Sequence, residues 1–173
     1  MAVPVSMLKT AVAAFVVVAA LLVAAWPGRA QPTAGPSGLP LPRFVSMASN
    51  EVNVRAGPGP EYPIKWTYVR RDLPVKIIEE YDVWRKIEDP EGDEGWVHSS
   101  LLSSKRTALV VGAIEELHRT ASDDSRIVLR AEPGVVAELI DCTAEWCLLE
   151  IAERRGWAKR AGLWGLLEDE MQG

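Results

Sequence analysis

Hydrophobic positions along this chain fall into three textures. From Ala11 to Trp26 they run without a charged interruption. From Gln31 to Pro42 they thin out among Pro, Gly, Ser and Thr. From Arg43 onward they recur in short clusters broken by Gly, Pro, Asp and Asn. Clusters that are β-branched or aromatic and bounded by turn formers predict strands. In the first half these are Phe44-Val45-Ser46, Val52-Asn53-Val54-Arg55, Trp66-Thr67-Tyr68-Val69, Val75-Lys76-Ile77-Ile78, Trp84-Arg85-Lys86-Ile87 and Gly95-Trp96-Val97. Ala56-Gly57-Pro58-Gly59-Pro60 is a turn cluster, and Asp89 to Glu94 reads as a hairpin loop. No helical period in this half outlasts about two turns, where an average helix needs about three. The pattern predicts an all-β body.

The second half repeats this grammar. Trp84 and Ile87 correspond to Trp146 and Leu149, and Val75-Lys76-Ile77-Ile78 to Ala137-Glu138-Leu139-Ile140, both at an offset of 62. Gly95-Trp96-Val97 corresponds to Gly156-Trp157-Ala158 at an offset of 61. Asn53-Val54-Arg55 is aligned with Leu117-His118-Arg119 at an offset of 64. Drifting offsets place the length changes in turns, which tolerate them. Two units of about 60 residues each sit near the lower size limit for an independent core, so each needs aromatic packing, a neighbour or a staple.

Lys9, the apolar run and Gly28-Arg29-Ala30 match a secretory signal, with cleavage expected after Ala30. An uncleaved anchor is the other reading, and only then does the protein touch a membrane. Either way the body lies outside the cytoplasm, periplasmic or secreted. Residues 31–42 then form a Pro/Gly linker, 43–111 and 112–168 the two units, and 169–173 a tail. Export makes Cys142 and Cys147, which flank the predicted tip of a hairpin, a disulfide in the simplest reading. Of 19 basic residues, Lys9 and Arg29 belong to the leader, leaving 17 against 24 acidic side chains in the body. A surface that acidic excludes sequence-independent nucleic-acid binding.

Asn53-Val54-Arg55-Ala56-Gly57-Pro58-Gly59, followed by Trp84-Arg85-Lys86-Ile87 and Gly95-Trp96-Val97, resembles the bacterial Src-homology-3-like (SH3-like) domain. That family opens on Asn-Val-Arg and a Gly-Pro turn, and closes on a hairpin carrying Trp and then Gly-Trp-Val. The resemblance covers roughly residues 43–110, with a single helical turn at His98 to Leu101 and a last strand within Lys105 to Val111. Residues 112–167 resemble a degenerate second copy, in which Thr120-Ala121-Ser122-Asp123 replaces the Gly-Pro turn. The resemblance implies two tandem small SH3-like β-barrels after an N-terminal signal helix. It also implies a non-catalytic module of the kind often joined to cell-wall enzymes.

Candidate chemistry is that of recognition. Six tryptophans lie in the body, and Trp84, Trp96, Trp146 and Trp157 occupy repeated positions. They are either hairpin packing or the aromatic walls of a groove, whose planes suit prolines, sugars or peptide backbone. Tyr62, Trp66 and Tyr81 belong to the first copy alone and are the expected exposed contacts. Arg55 and Arg119 either brace the following loop or meet a ligand carboxylate. The expected binding set is therefore Arg55, Tyr62, Trp66, Tyr81, Trp84 and Trp96. The carboxylates of Glu88 to Glu94 alternate as calcium ligands do, but Glu94 and Ser100 stand where a helix-loop-helix calcium loop needs Gly and Glu. His98 and His118 stand apart from any nucleophile, and no phosphate loop is present. We therefore expect no catalytic residues, no metal and no cofactor. The expected partner is a cell-wall peptide or peptidoglycan component. The alternative is a structural adaptor binding another envelope protein, with no glycan ligand.

Overall fold

The computed structural model describes residues 33–167. The leader, its cleavage position and the 169–173 tail lie outside the described residues. No helix among the described residues is long and apolar enough to cross a membrane.

The described chain is almost wholly β. Its strands are β1 (Thr33–Ala34), β2 (Pro40–Leu41), β3 (Arg43–Met47), β4 (Val52–Arg55), β5 (Ile64–Tyr68), β6 (Pro74–Tyr81), β7 (Trp84–Glu88) and β8 (Glu94–His98). A single 3-10 turn, Ser99–Leu101, leads into β9 (Leu102–Ser103). Then come β10 (Thr107–Val110), β11 (Glu115–His118), β12 (Ile127–Ala131), β13 (Val136–Cys142), β14 (Trp146–Ile151) and β15 (Arg154–Lys159). A second 3-10 turn, Arg160–Gly162, precedes β16 (Leu163–Trp164).

Two seven-stranded antiparallel sheets result, in the orders β5-β4-β8-β7-β6-β3-β9 and β12-β11-β15-β14-β13-β10-β16. Each strand of the second is the counterpart of the strand seven places earlier, so the duplication extends to topology. Even the irregularities recur: the register slips between Val54 and Arg55 and between Leu117 and His118, and between Ile77 and Glu79 and between Leu139 and Asp141. These bulges bend the strands, which lets so small a sheet wrap around its own core.

Two expectations need correction. Thr107–Val110 does not end the first barrel; it pairs with β13 and β16 and opens the second. The first barrel closes on the two residues of β9, which pair with β3. Residues 31–42 are also more than a linker, because β1 and β2 pair as a hairpin whose Ser37 turn is tied to the barrel. Both the amide and the hydroxyl of Ser37 donate to the Glu80 carboxylate, at 2.9 and 2.8 Å. Gly35 is required there, since a Cβ at that position would overlap the Glu80 carboxylate. Composition showed the poverty of apolar side chains in this segment, while its anchor is a charge 43 residues away.

The first core is Met47, Val52, Val54, Val75, Ile77, Ile87 and Val97. The second is thinner. Val75 and Val97 are matched by Ala137 and Ala158, and Met47 by Val110. Each Val-to-Ala difference removes about 1.5 kcal/mol of burial at roughly 0.8 kcal/mol per methylene. The disulfide between Cys142 and Cys147, directly opposed residues of β13 and β14, reinforces that weaker barrel.

Candidate functional site

Strand pairing decides which expected contact residues share a face. Trp96 lies across from Arg55 on one side and from Lys86 on the other, and Trp84 lies across from His98. Arg55, Trp96, Lys86, Trp84 and His98 therefore share one face of β4, β8 and β7, the side away from buried Val54 and Val97. Trp84 is diagonal to Trp96, within reach for side chains of this size. Tyr81 is paired with Trp84 at the end of the β6–β7 hairpin, and is 61% exposed beside Val83.

Arg55 braces the β4–β5 loop. Its Nη1 donates to the carbonyls of Pro60 at 3.0 Å and Tyr62 at 2.7 Å. The Tyr62 ring lies over Gly57, where a Cβ would overlap it, and remains 41% exposed. A turn built from Gly57, Pro58 and Gly59 lets the chain approach its own arginine this closely.

Trp84 meets His98 edge to face, with ring centroids 5.4 Å apart. The Ser100 amide donates to His98 Nδ1 at 3.3 Å. The Ser100 hydroxyl lies 2.8 Å from the same nitrogen, so Ser100 holds the imidazole in place beside the indole. His98 stands alone in the sequence because its partner, Trp84, sits across the sheet, 14 positions earlier.

Trp66 separates from this set. It pairs with fully buried Val54, packs against the core, and stands edge to face with Tyr68 at 6.1 Å. Its counterpart in the second barrel is Leu129, which packs on that core in the same way. The pairing thus brings Arg55, Trp84 and Trp96 together, with Tyr62 and Tyr81 at their margins, and places Trp66 on the other face.

The acidic hairpin is organised by Asp89, which is 5% exposed. Its carboxylate accepts from the amides of Glu91 and Asp93 at 3.1 and 2.9 Å and from the Tyr68 hydroxyl at 2.5 Å. Burial, aided by that bond to Asp89, pushes the Tyr68 phenol well above its usual range.

In the second barrel the counterpart of Arg55 is His118, at an offset of 63, and not Arg119. Each is the β4 or β11 residue across from the tryptophan of the repeated Gly-Trp pair, Trp96 or Trp157. Each also donates to the carbonyl seven residues later, Arg55 to Tyr62 and His118 Nδ1 to Ser125 at 2.8 Å. An alignment by residue type favoured the wrong arginine, because the loop brace survived the change in chemistry. His118 lies edge to face with Trp146, the counterpart of Trp84, at 5.4 Å.

One further equivalence was not legible. The pair Glu80–Arg85 occupies the same hairpin rung as Cys142–Cys147. Arg85 Nε lies 3.1 Å from Glu80 Oε1, and Arg43 completes the cluster at 2.5 Å. Burial alone would raise the Glu80 carboxyl. The Ser37 amide and hydroxyl and the Arg43 guanidinium outweigh it and hold the group at about 2.

Comparison with known proteins agrees with this architecture. The family model described as "Bacterial SH3 domain" matches twice, over residues 48–104 and 113–165. The Bacillus subtilis (strain 168) protein named "Putative N-acetylmuramoyl-L-alanine amidase YrvJ" is 28% identical over 114 residues, covering 65% of this chain and 22% of that protein. This chain therefore spans about a fifth of that relative's length. Among solved structures, NlpC2 from Trichomonas vaginalis overlaps with a TM-score of 0.35 and 10% identity, over 76% of this chain and 51% of that one. NlpC1 from the same organism gives 0.34 and 12%, over 78% and 49%. Superpositions this loose carry no argument of their own.

Proposed function

The chain belongs to the bacterial SH3 domain family, in two tandem copies, and from that premise we propose that it is a non-catalytic binding module of the cell envelope. Its recognition surface is the face of the first barrel that bears Arg55 and Trp84, with Trp96 buried in it, flanked by Tyr62 and Tyr81. The observation that carries this reading is the half-buried Trp84, seated on His98 and continuous with exposed Tyr81 and Val83. Aromatic planes beside an imidazole held by Ser100 suit the backbone and rings of a peptide or a peptidoglycan component. The net acidic body disfavours anionic partners. The amidase name of the 28% identical relative supports the cell-wall assignment, as does the apolar leader, which supports export.

The test is retention on purified cell-wall sacculi at moderate salt. We expect the exported chain to be retained, and Trp84→Ala or Tyr81→Ala to lose at least about fivefold, the scale of one aromatic contact, with unchanged circular dichroism. Retention that is indifferent to both substitutions rejects the proposed face. No retention at all favours the adaptor reading, in which the same aromatic surface meets another envelope protein.

A further inference from the structure

The second barrel carries an open cavity of about 290 Å³, lined by Ile114, Glu115, Glu116, His118, Asp123 and Lys159. Its chemistry differs from that of the corresponding face in the first barrel. Where the first barrel has His98 opposite Trp84, the second has Lys159 opposite Trp146. The Lys159 ammonium stands 5.4 Å from the centroid of the Trp146 ring and 2.6 Å from Asp123 Oδ1. Asp123, Glu115 and Glu145 all favour its charged form, the hydrogen bond it donates to Asp123 most strongly. An ammonium over an aromatic face, ringed by carboxylates, is the arrangement by which proteins recognise amine ligands.

His118 adds a directional group. It is 7% exposed, and its Nδ1 is committed to the Ser125 carbonyl. A ring nitrogen facing a carbonyl must carry the proton, so Nε2 of the neutral ring is a lone-pair acceptor. That nitrogen has no hydrogen-bond partner among the described residues. The other polar groups are held but not sealed. Glu115 Oε1 accepts the Lys159 amide at 2.8 Å, and Glu116 pairs with Arg130 at 2.9 Å. Lys159 and Asp123 keep 50% and 69% of their side-chain surface exposed. An ion pair that open is held weakly, and the lysine can swing out.

We propose that this cavity binds a primary ammonium group, such as the free amino end of a peptide, and that Lys159 is the internal stand-in that occupies its place in the free protein. The incoming ammonium takes the position over Trp146 against the Asp123 carboxylate, and His118 Nε2 is the open acceptor of the same lining for an N–H of the ligand. The proposal concerns the second barrel alone and does not depend on the face assigned to the first.

Triglycine and N-acetyl-triglycine test it, titrated into the purified full-length chain and followed by amide and indole NMR. Triglycine should shift the resonances of His118, Trp146 and Lys159, and the acetylated peptide, which has no ammonium, should leave them unmoved. Lys159→Ala, a change at an exposed position, should tighten triglycine binding about fivefold, the scale of a released surface ion pair. Equal shifts from both peptides would overturn the proposal. So would shifts confined to Trp84 and His98, the absence of any shift, or an affinity that Lys159→Ala leaves unchanged or weakens.

Discussion

Glu80 shows how much a single side chain can hold. Its carboxylate collects the Ser37 turn, Arg43 and Arg85 while its own side chain has no exposed surface. Its folded-state value of about 2 lies below the ordinary 4.5. A depressed carboxylate contributes stability that is fully present above the unfolded value and fades as pH falls through the folded one. Glu80→Gln should therefore cost on the order of 2 kcal/mol at neutral pH. It should also flatten the loss of stability between pH 4.5 and 2. Urea titrations at pH 7 and pH 3 would read this; an equal loss at both would mean that the charge on Glu80 is not what holds the hairpin. None of this was visible in the local run Glu79-Glu80-Tyr81-Asp82. The three partners of Glu80 come from elsewhere in the chain, and burial of a charge is a property of the neighbours that surround it.

At the scale of one element, the β6–β7 hairpin and the β13–β14 hairpin solve the same problem in two ways. One closes with the Glu80–Arg85 ion pair and the other with Cys142–Cys147, on matching rungs. Cysteine spacing and the expectation of export were enough to read the disulfide from the sequence. Its ionic counterpart was not, because nothing in Glu80 or Arg85 marks them as facing each other. Glu80→Cys combined with Arg85→Cys should oxidise to a second intramolecular bridge, detected as absence of free thiol and loss of two mass units, the hydrogens of the two thiols. Persistent free thiols would deny that the two rungs are alike. Strand register likewise gives the loop brace of the second barrel to His118 and not Arg119, and commits Trp66 to the core side of β5. A period of two fixes which residues share a face, but the pairing partner fixes which face is inside.

At the scale of the molecule the two barrels abut. Trp164 of the second meets Phe44 of the first edge to face at 5.3 Å. Thr107 Oγ1 donates to the Asp72 carbonyl at 2.8 Å, and Arg70 donates to that of Gly134 at 2.6 Å. Lys105 lies 3.2 Å from both Asp72 and Glu138. Gly165 permits this closeness: its φ is +112°, and a Cβ would lie 2.6 Å from the Thr107 carbonyl oxygen and 3.3 Å from Pro74. Gly165→Ala should cost about 1–3 kcal/mol through strain at that backbone position. It should also loosen the coupling between the barrels, splitting one calorimetric unfolding transition into two. A variant that melts like the parent would show that the contact does not couple them.

Alternating strands, repeated tryptophans and glycines, the Asn-Val-Arg and Gly-Trp-Val signatures and the cysteine spacing were enough to establish two SH3-like barrels and a stapled hairpin. These are local regularities, and period and spacing are written in consecutive residues. The tertiary structure alone assigned Thr107–Val110 to the second barrel, seated the first hairpin on Glu80, matched His118 to Arg55, and placed Lys159 over Trp146. Each of these depends on groups that are distant along the chain and adjacent only once strands are paired, and one-dimensional periodicity does not encode pairing.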